Sequence, residues 1–195
     1  MFMVQLNGNK IILASGSPRR KQFFEDMGFT FEVRLKEVEE RYPPVLKGGE
    51  IADYLAELKA NALRGSLSDK EILITSDTVV WHKGNSLAKP AGTKEAIAML
   101  KALSNDWHEV ITAVTFTTKT TQKTINHTTK VKFTALSEAE IVYYVEKYKP
   151  FDKAGGYGIQ EWIGLIGIEE IQGSYTNVVG LPTHLVYKTL MNMVG

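Results

Sequence analysis

The chain contains no cysteine. That excludes disulfides, thiolate nucleophiles, iron–sulfur clusters and cysteine-bound zinc together. Nor is there an excess of either charge: 23 Lys and Arg against 22 Asp and Glu leave a formal net charge of +1. A domain that grips duplex carries a clear basic excess, so a nucleic-acid partner is not expected. Long apolar runs are missing as well. The opening stretch, MFMVQLNGNKIILAS, lacks the apolar core of a signal peptide, and no later segment approaches a membrane span. The expectation is a cytoplasmic protein with no membrane partner. Four histidines, His82, His108, His127 and His184, are scattered without metal-ligand spacing, so core or surface roles are expected for them.

What is present describes an ordinary folded protein of 195 residues, 44% hydrophobic and 23% charged, enough for one domain or two joined lobes. Near-neutrality still leaves room for a local cationic pocket. Ile11–Ser15 reads as a buried strand leading into Gly16-Ser17-Pro18-Arg19-Arg20, where Ser17 suits an N-cap, Pro18 the first helical position and Gly28 the helix end. Residues 35–49 read as a charged, then Pro/Gly-rich loop, and Ile51, Tyr54, Leu55, Leu58 and Ala62 recur at helical spacing. Glu71–Trp81 reads as a strand with an acid in its middle, and Thr93 as the cap of a helix reaching Leu103. Runs at 107–118 and 124–134 flank a polar turn and predict a long antiparallel hairpin. Ser137 to Glu140 is a capping box opening a helix to about Tyr148; strands are expected near 162–169, and a last helix from Pro182. The sum is a mixed α/β chain.

Two places stand out chemically. The Ser15–Arg20 turn offers free N–H groups at a helix start, serine hydroxyls and two guanidiniums, all suited to phosphate. The alternative is a capped helix with exposed arginines in its first turn, but two cations there oppose the helix dipole and call for an external reason. It is not a Walker loop, since the Gly-Lys-Ser/Thr ending is missing. Asp77 is the second, a carboxylate inside the apolar run ITSDTVVW. Unpaired burial there would be costly, so it faces either solvent or a site holding a cation, and alternation from Ile72 and Ile74 does not choose. Lys89-Pro90, Asp152-Lys153 and Glu39-Glu40 are weaker candidates, while Tyr143, Tyr144 and Trp162 read as packing residues.

Taken together, LASGSPRR (13–20), EVEE (37–40), LKANA (58–62), SDTVV (76–80), AKP (88–90), LSNDWHEVITAV (103–114), DKAGGYGIQ (152–160) and GSYTNVVGLP (173–182) resemble the Maf family of nucleotide pyrophosphatases, in the family's order and almost end to end. The resemblance implies a single Maf-like domain over 1–195, with a mixed sheet and two lobes around a central cleft, related to the inosine triphosphate pyrophosphatases. It implies hydrolysis of dTTP or UTP to the monophosphate and pyrophosphate with a divalent cation, Mg2+ or Mn2+. Asp77 takes the position of the catalytic proton acceptor. Arg20, Thr78 and Gln160 take the three positions linked to substrate choice and resemble the dTTP/UTP branch. Ser15, Arg19, Lys59, Lys89 and Lys153 fall on pocket positions, and Glu40, with Asp77, on the metal side. Ser76 and Gly156 stand where alanine is usual, and Glu161 where glycine is; a carboxylate there would tune specificity or repel phosphate. A 7-methyl-GTP-like branch, and a septum-formation regulator acting by binding, remain alternatives, and a homodimer stays open.

Overall fold

The computed structural model describes residues 4–195; Met1 to Met3, the start of the stretch read for a signal peptide, lie outside the described residues. In chain order the elements are β1 (Lys10–Leu13), α1 (Pro18–Asp26), β2 (Phe31–Val33), α2 (Gly49–Arg64), β3 (Glu71–His82), β4 (Asn85–Leu87) and α3 (Thr93–Leu103). Then come β5 (Trp107–Thr117), β6 (Gln122–Phe133), α4 (Glu138–Tyr148), a 3-10 turn at Ala154–Gly156, α5 (Trp162–Gly167), β7 (Ile168–Gln172), α6 (Tyr175–Val179) and α7 (Thr183–Val194). Seven strands form one mixed sheet in the order β2-β1-β3-β5-β6-β7, with β4 beside β3. β1 runs parallel to β2 and β3, and every other pairing is antiparallel. The fold class is the expected α/β.

Period-two alternation decides what each face packs against. Ile11, Leu13, Ile72 and Ile74 point to the side covered by Phe24 of α1 and Val186 and Leu190 of α7. Ile12 and Leu73 point the other way, onto Ala60 and Leu63 of α2. Further along, α2 lays Ile51, Ala52, Leu55 and Ala56 against Val79, Ile111 and Ala113. Beyond the hairpin, α3 and α4 enclose Phe133, Tyr157, Ile159 and Ile163 in a second core. The sheet edge that matters most lies on β3. β1 pairs with β3 only as far as Ile74, and β4 resumes pairing at Val80, so residues 75–79 have no strand beside them on that edge.

Local signals held at most helix starts. Ser17 caps α1 and accepts from the Arg20 N–H, with Pro18 first in the helix. Ser137 and Glu140 form a complete capping box. Thr93 is a correction: it is the first residue of α3, after Gly92, and no side chain caps that helix. The strand expected near 162–169 is another. Trp162–Gly167 is helical and the strand begins at Ile168. Short apolar runs do not distinguish the two states. Here the turn is so tight that a Cβ on Gly164 would lie 1.7 Å from the Ile159 carbonyl oxygen.

His108 gives the fold a pH signature. It is buried, stacks on Phe133 and meets the Tyr157 hydroxyl at 2.6 Å. Burial pushes it down to about 3, helped by the charge of His82 and opposed by Asp106. An unfolded histidine titrates near ~6.5, so between there and about 3 only the unfolded chain takes up this proton. Stability from this group is therefore full above the unfolded value and is lost as pH falls through that window. Urea unfolding at neutral pH and in mild acid should show a smaller acid loss for His108→Gln than for the unmutated protein.

Candidate active site

The chain leaves the sheet where β1 ends. The Ala14 N–H donates to the Ile74 carbonyl at 2.9 Å, the last rung before the gap beside β3. Ser15 Oγ then accepts from the Ser17 N–H, and α1 begins with its two arginines in the first turn. Arg20 crosses the gap. Its guanidinium donates to the Gly180 carbonyl at 2.8 Å, to the Ser76 carbonyl at 2.8 Å and to Thr78 Oγ1 at 3.0 Å. The Ser76 carbonyl is available because no strand pairs there. A relay continues: Thr78 Oγ1 meets Thr112 Oγ1 at 2.9 Å, and Thr112 donates to the Asn177 carbonyl at 3.0 Å. Asn177, wholly buried, donates to the Val110 carbonyl and Thr129 Oγ1, which fixes α6 on the sheet. Burial lowers the Arg20 guanidinium, with the charge of Asp77 acting against it. Arg19 donates to the Val179 carbonyl at 3.3 Å and meets Asp152 at 3.4 Å.

On the other face of β3, alternation turns Thr75 and Asp77 toward α2. Thr75 donates to the Ala56 carbonyl at 2.7 Å. Lys59 of α2 reaches Asp77 at 2.6 Å and Glu40 at 2.9 Å, and Lys89 stands 3.8 Å from Glu40. Asp77 thus faces a cation rather than bulk solvent. Burial raises the Glu40 carboxyl, but the Lys59 bond and the charges of Lys59, Lys89 and Arg20 outweigh it and leave it below the usual range. Glu39 is not in the cluster; it pairs with Arg41 in solvent.

A third wall comes from the 152–161 segment. Lys153, with its side chain 10% exposed, lies between Asp152 at 2.8 Å and Glu161 at 3.0 Å. Gln160 is exposed, and its side chain has no hydrogen-bond partner among the described residues. Ser15, Arg19, Arg20, Glu40, Lys59, Asp77, Thr78, Lys89, Lys153 and Gln160, all ten candidates from the sequence, line one cleft of about 710 Å³. Ligand pockets commonly run ~300–1,000 Å³, so the cleft is large enough for a nucleotide. Six lysine and arginine side chains line it against four carboxylates, an excess suited to an anion. Missed from the sequence were Asn177 and the Val179 and Gly180 carbonyls. Their signal was the GSYTNVVGLP segment, but they act by burial and through backbone, which side-chain chemistry does not announce.

Among the described residues no three carboxylate or histidine side chains gather as a metal cage. Glu40 and Asp77 do converge on one ammonium. Two carboxylates suit a hard cation that takes its remaining ligands from phosphate oxygens and water, as Mg2+ commonly does. The donor set fits.

A family model described as "Maf-like protein" matches residues 10–193. The chain belongs to the Maf family. A protein of Flavobacterium johnsoniae named dTTP/UTP pyrophosphatase is 55% identical over 194 residues, covering 100% of both chains. One of Flavobacterium psychrophilum with the same name is 57% identical and covers 98% of each. Among solved structures, one titled as the Staphylococcus aureus Ham1 protein is similar over 93% of this chain and 100% of its own, with TM-score 0.49 and 15% identity.

The departures of this Maf chain now have places. Gly156 has φ +70, a conformation that disfavours the usual alanine, and neighbouring Gly155, at φ +71, would put a Cβ 3.0 Å from Val80. Ser76 Oγ is buried with no partner within the described residues, and the structure gives its hydroxyl no role. Glu161 is neutralised by Lys153 and by the Tyr144 hydroxyl, which donates to it. No helix among the described residues is long and apolar enough to cross a membrane.

Proposed function

We propose that this chain hydrolyses dTTP and UTP to the nucleoside monophosphate and pyrophosphate, working as one domain with two lobes around the cleft, in the cytoplasm. The observation that carries the reading is Asp77, a carboxylate paired with Lys59, which also pairs with Glu40, inside a cleft with cations on every wall. A pure binder of anions has no use for it, because a carboxylate there opposes binding. The curated relatives bearing the name dTTP/UTP pyrophosphatase support the same substrates.

Water attacks the α-phosphorus, the bond from that phosphorus to the bridging oxygen breaks, and pyrophosphate leaves. Asp77 orients the water and takes its proton. Lys59, Lys89, Lys153 and Arg19 neutralise the polyphosphate, with N–H groups of the 15–20 turn as further donors and Ser15 Oγ beside them. A divalent cation held by Glu40 and Asp77 would supply the largest single positive charge against the triphosphate. Gln160, free in the cleft, recognises the base. Uracil and thymine present acceptor, donor and acceptor along the pairing edge, which one carboxamide can meet with an acceptor and a donor. Arg20 and Thr78 hold the wall opposite.

A panel of nucleoside triphosphates with pyrophosphate detection tests this. Turnover of dTTP and UTP should exceed that of ATP and GTP, with CTP weaker because it lacks the ring N–H. Little choice between dTTP and UTP is expected, and excess EDTA should stop the reaction. Purine triphosphates outrunning UTP would defeat the base assignment.

A further inference from the structure

Lysine carries three N–H donors on a flexible stem, and fixing that stem is the main cost of using it as a point charge. Lys153 donates to Asp152 Oδ1 at 2.8 Å, and its ammonium forms an ion pair with Glu161 Oε1 at 3.0 Å. Lys153 also lines the cleft, so the ammonium held between these two carboxylates has donor capacity left for a ligand there. Glu161 is not among the residues lining the cleft, and it is itself held. Its other oxygen accepts from the hydroxyl of Tyr144, a wholly buried side chain, and that hydroxyl accepts from the Gly158 N–H at 3.0 Å. The chain of contacts therefore runs from the Gly158 N–H, two residues before Gln160, through Tyr144 and Glu161, to Lys153.

We propose that Glu161 is a positioning residue: held by Tyr144, it fixes the Lys153 ammonium so that one N–H points at the polyphosphate. The inference rests on the pyrophosphatase reading above. A carboxylate at this place was the departure that sequence alone marked as a hazard to phosphate. With one oxygen on Lys153 and the other on Tyr144, its charge is spent inside the wall. It acts through Lys153 and touches no substrate, so it should affect every nucleotide by the same factor.

The test measures kcat and KM on dTTP, CTP and GTP, and pyrophosphate binding by calorimetry, for Glu161→Gln, Tyr144→Phe and Lys153→Met. Glu161→Gln keeps shape and removes charge. It should weaken kcat/KM about tenfold on all three nucleotides and weaken pyrophosphate binding in parallel, as loss of one charged hydrogen bond implies. Tyr144→Phe should move both readouts the same way by about threefold. Placed on Lys153→Met, Glu161→Gln should add nothing, because the group it positions is gone. A changed ratio between nucleotides would overturn the proposal in favour of base contact, and tighter pyrophosphate binding would overturn it in favour of repulsion. A damaged Lys153→Met beside an unaffected Glu161→Gln would sink only the positioning role. A silent Lys153→Met would instead remove the polyphosphate assignment itself.

Discussion

Replacing Asp77 with asparagine should lower turnover roughly a hundredfold or more, the scale for loss of a positioned acid/base group. The change is nearly isosteric, so the strand and the cleft keep their shape. Its structural consequence should be small for a specific reason. Removing one partner of a buried ion pair is usually costly because the other charge is left alone. Here Lys59 keeps Glu40 at 2.9 Å, and the asparagine carbonyl still accepts from it. Melting temperature should therefore stay within a few degrees, about 1 kcal/mol of stability. A variant that turns over dTTP near the wild-type rate would return Asp77 to a purely structural role. A variant that loses activity only because it unfolds would show the loss in melting temperature as well.

Arg20→Lys should be nearly as damaging, although it conserves charge. The guanidinium spans three acceptors on separate segments: the Ser76 carbonyl and Thr78 Oγ1 on the open edge of β3, and the Gly180 carbonyl after α6. An ammonium on a longer, freer stem cannot bridge a planar fork of that width. Two of the three bonds should be lost, for about 2–3 kcal/mol of stability. The 178–180 segment, which borders the cleft, should loosen with them. Misplacing one wall of a site by about 1 Å is worth on the order of a hundredfold in rate, so kcat/KM for dTTP should fall by that scale. Thermal unfolding and steady-state kinetics on the same preparation check both. An Arg20→Lys protein with unchanged stability would show that the bridge carries no weight.

Much of this site was legible before any coordinates. The Ser17 cap, the Pro18 start and the paired arginines give a helix beginning with the wrong charge for its dipole, an anomaly that pointed to this turn, and the turn lines the cleft. Asp77 in ITSDTVVW was legible as a group needing a partner, but not its face. Alternation ties Asp77 to Leu73 and sets it against Ile72 and Ile74, yet nothing local says which set meets α2. Lys59 answers it, from 18 residues away in sequence. The gap in the β3 edge was invisible too, since it arises from where β1 stops and β4 starts. The partners of Glu161 were hidden for the same kind of reason. Neither Tyr144, 17 residues away, nor Lys153 announces in sequence that it meets this carboxylate. Trp162–Gly167 failed at a lower level, because six apolar residues with two glycines carry no period that separates helix from strand.

Hydrolysis of dTTP in 18O-labelled water, followed by mass analysis of both products, tests attack at the α-phosphorus most directly. Asp77, set within a cleft lined by six lysine and arginine side chains, should deliver water to that atom. The label should appear in the thymidine monophosphate, and the pyrophosphate should be released unlabelled. Label in pyrophosphate, or orthophosphate released stepwise, would mean that water attacks further along the chain, and would contradict the account.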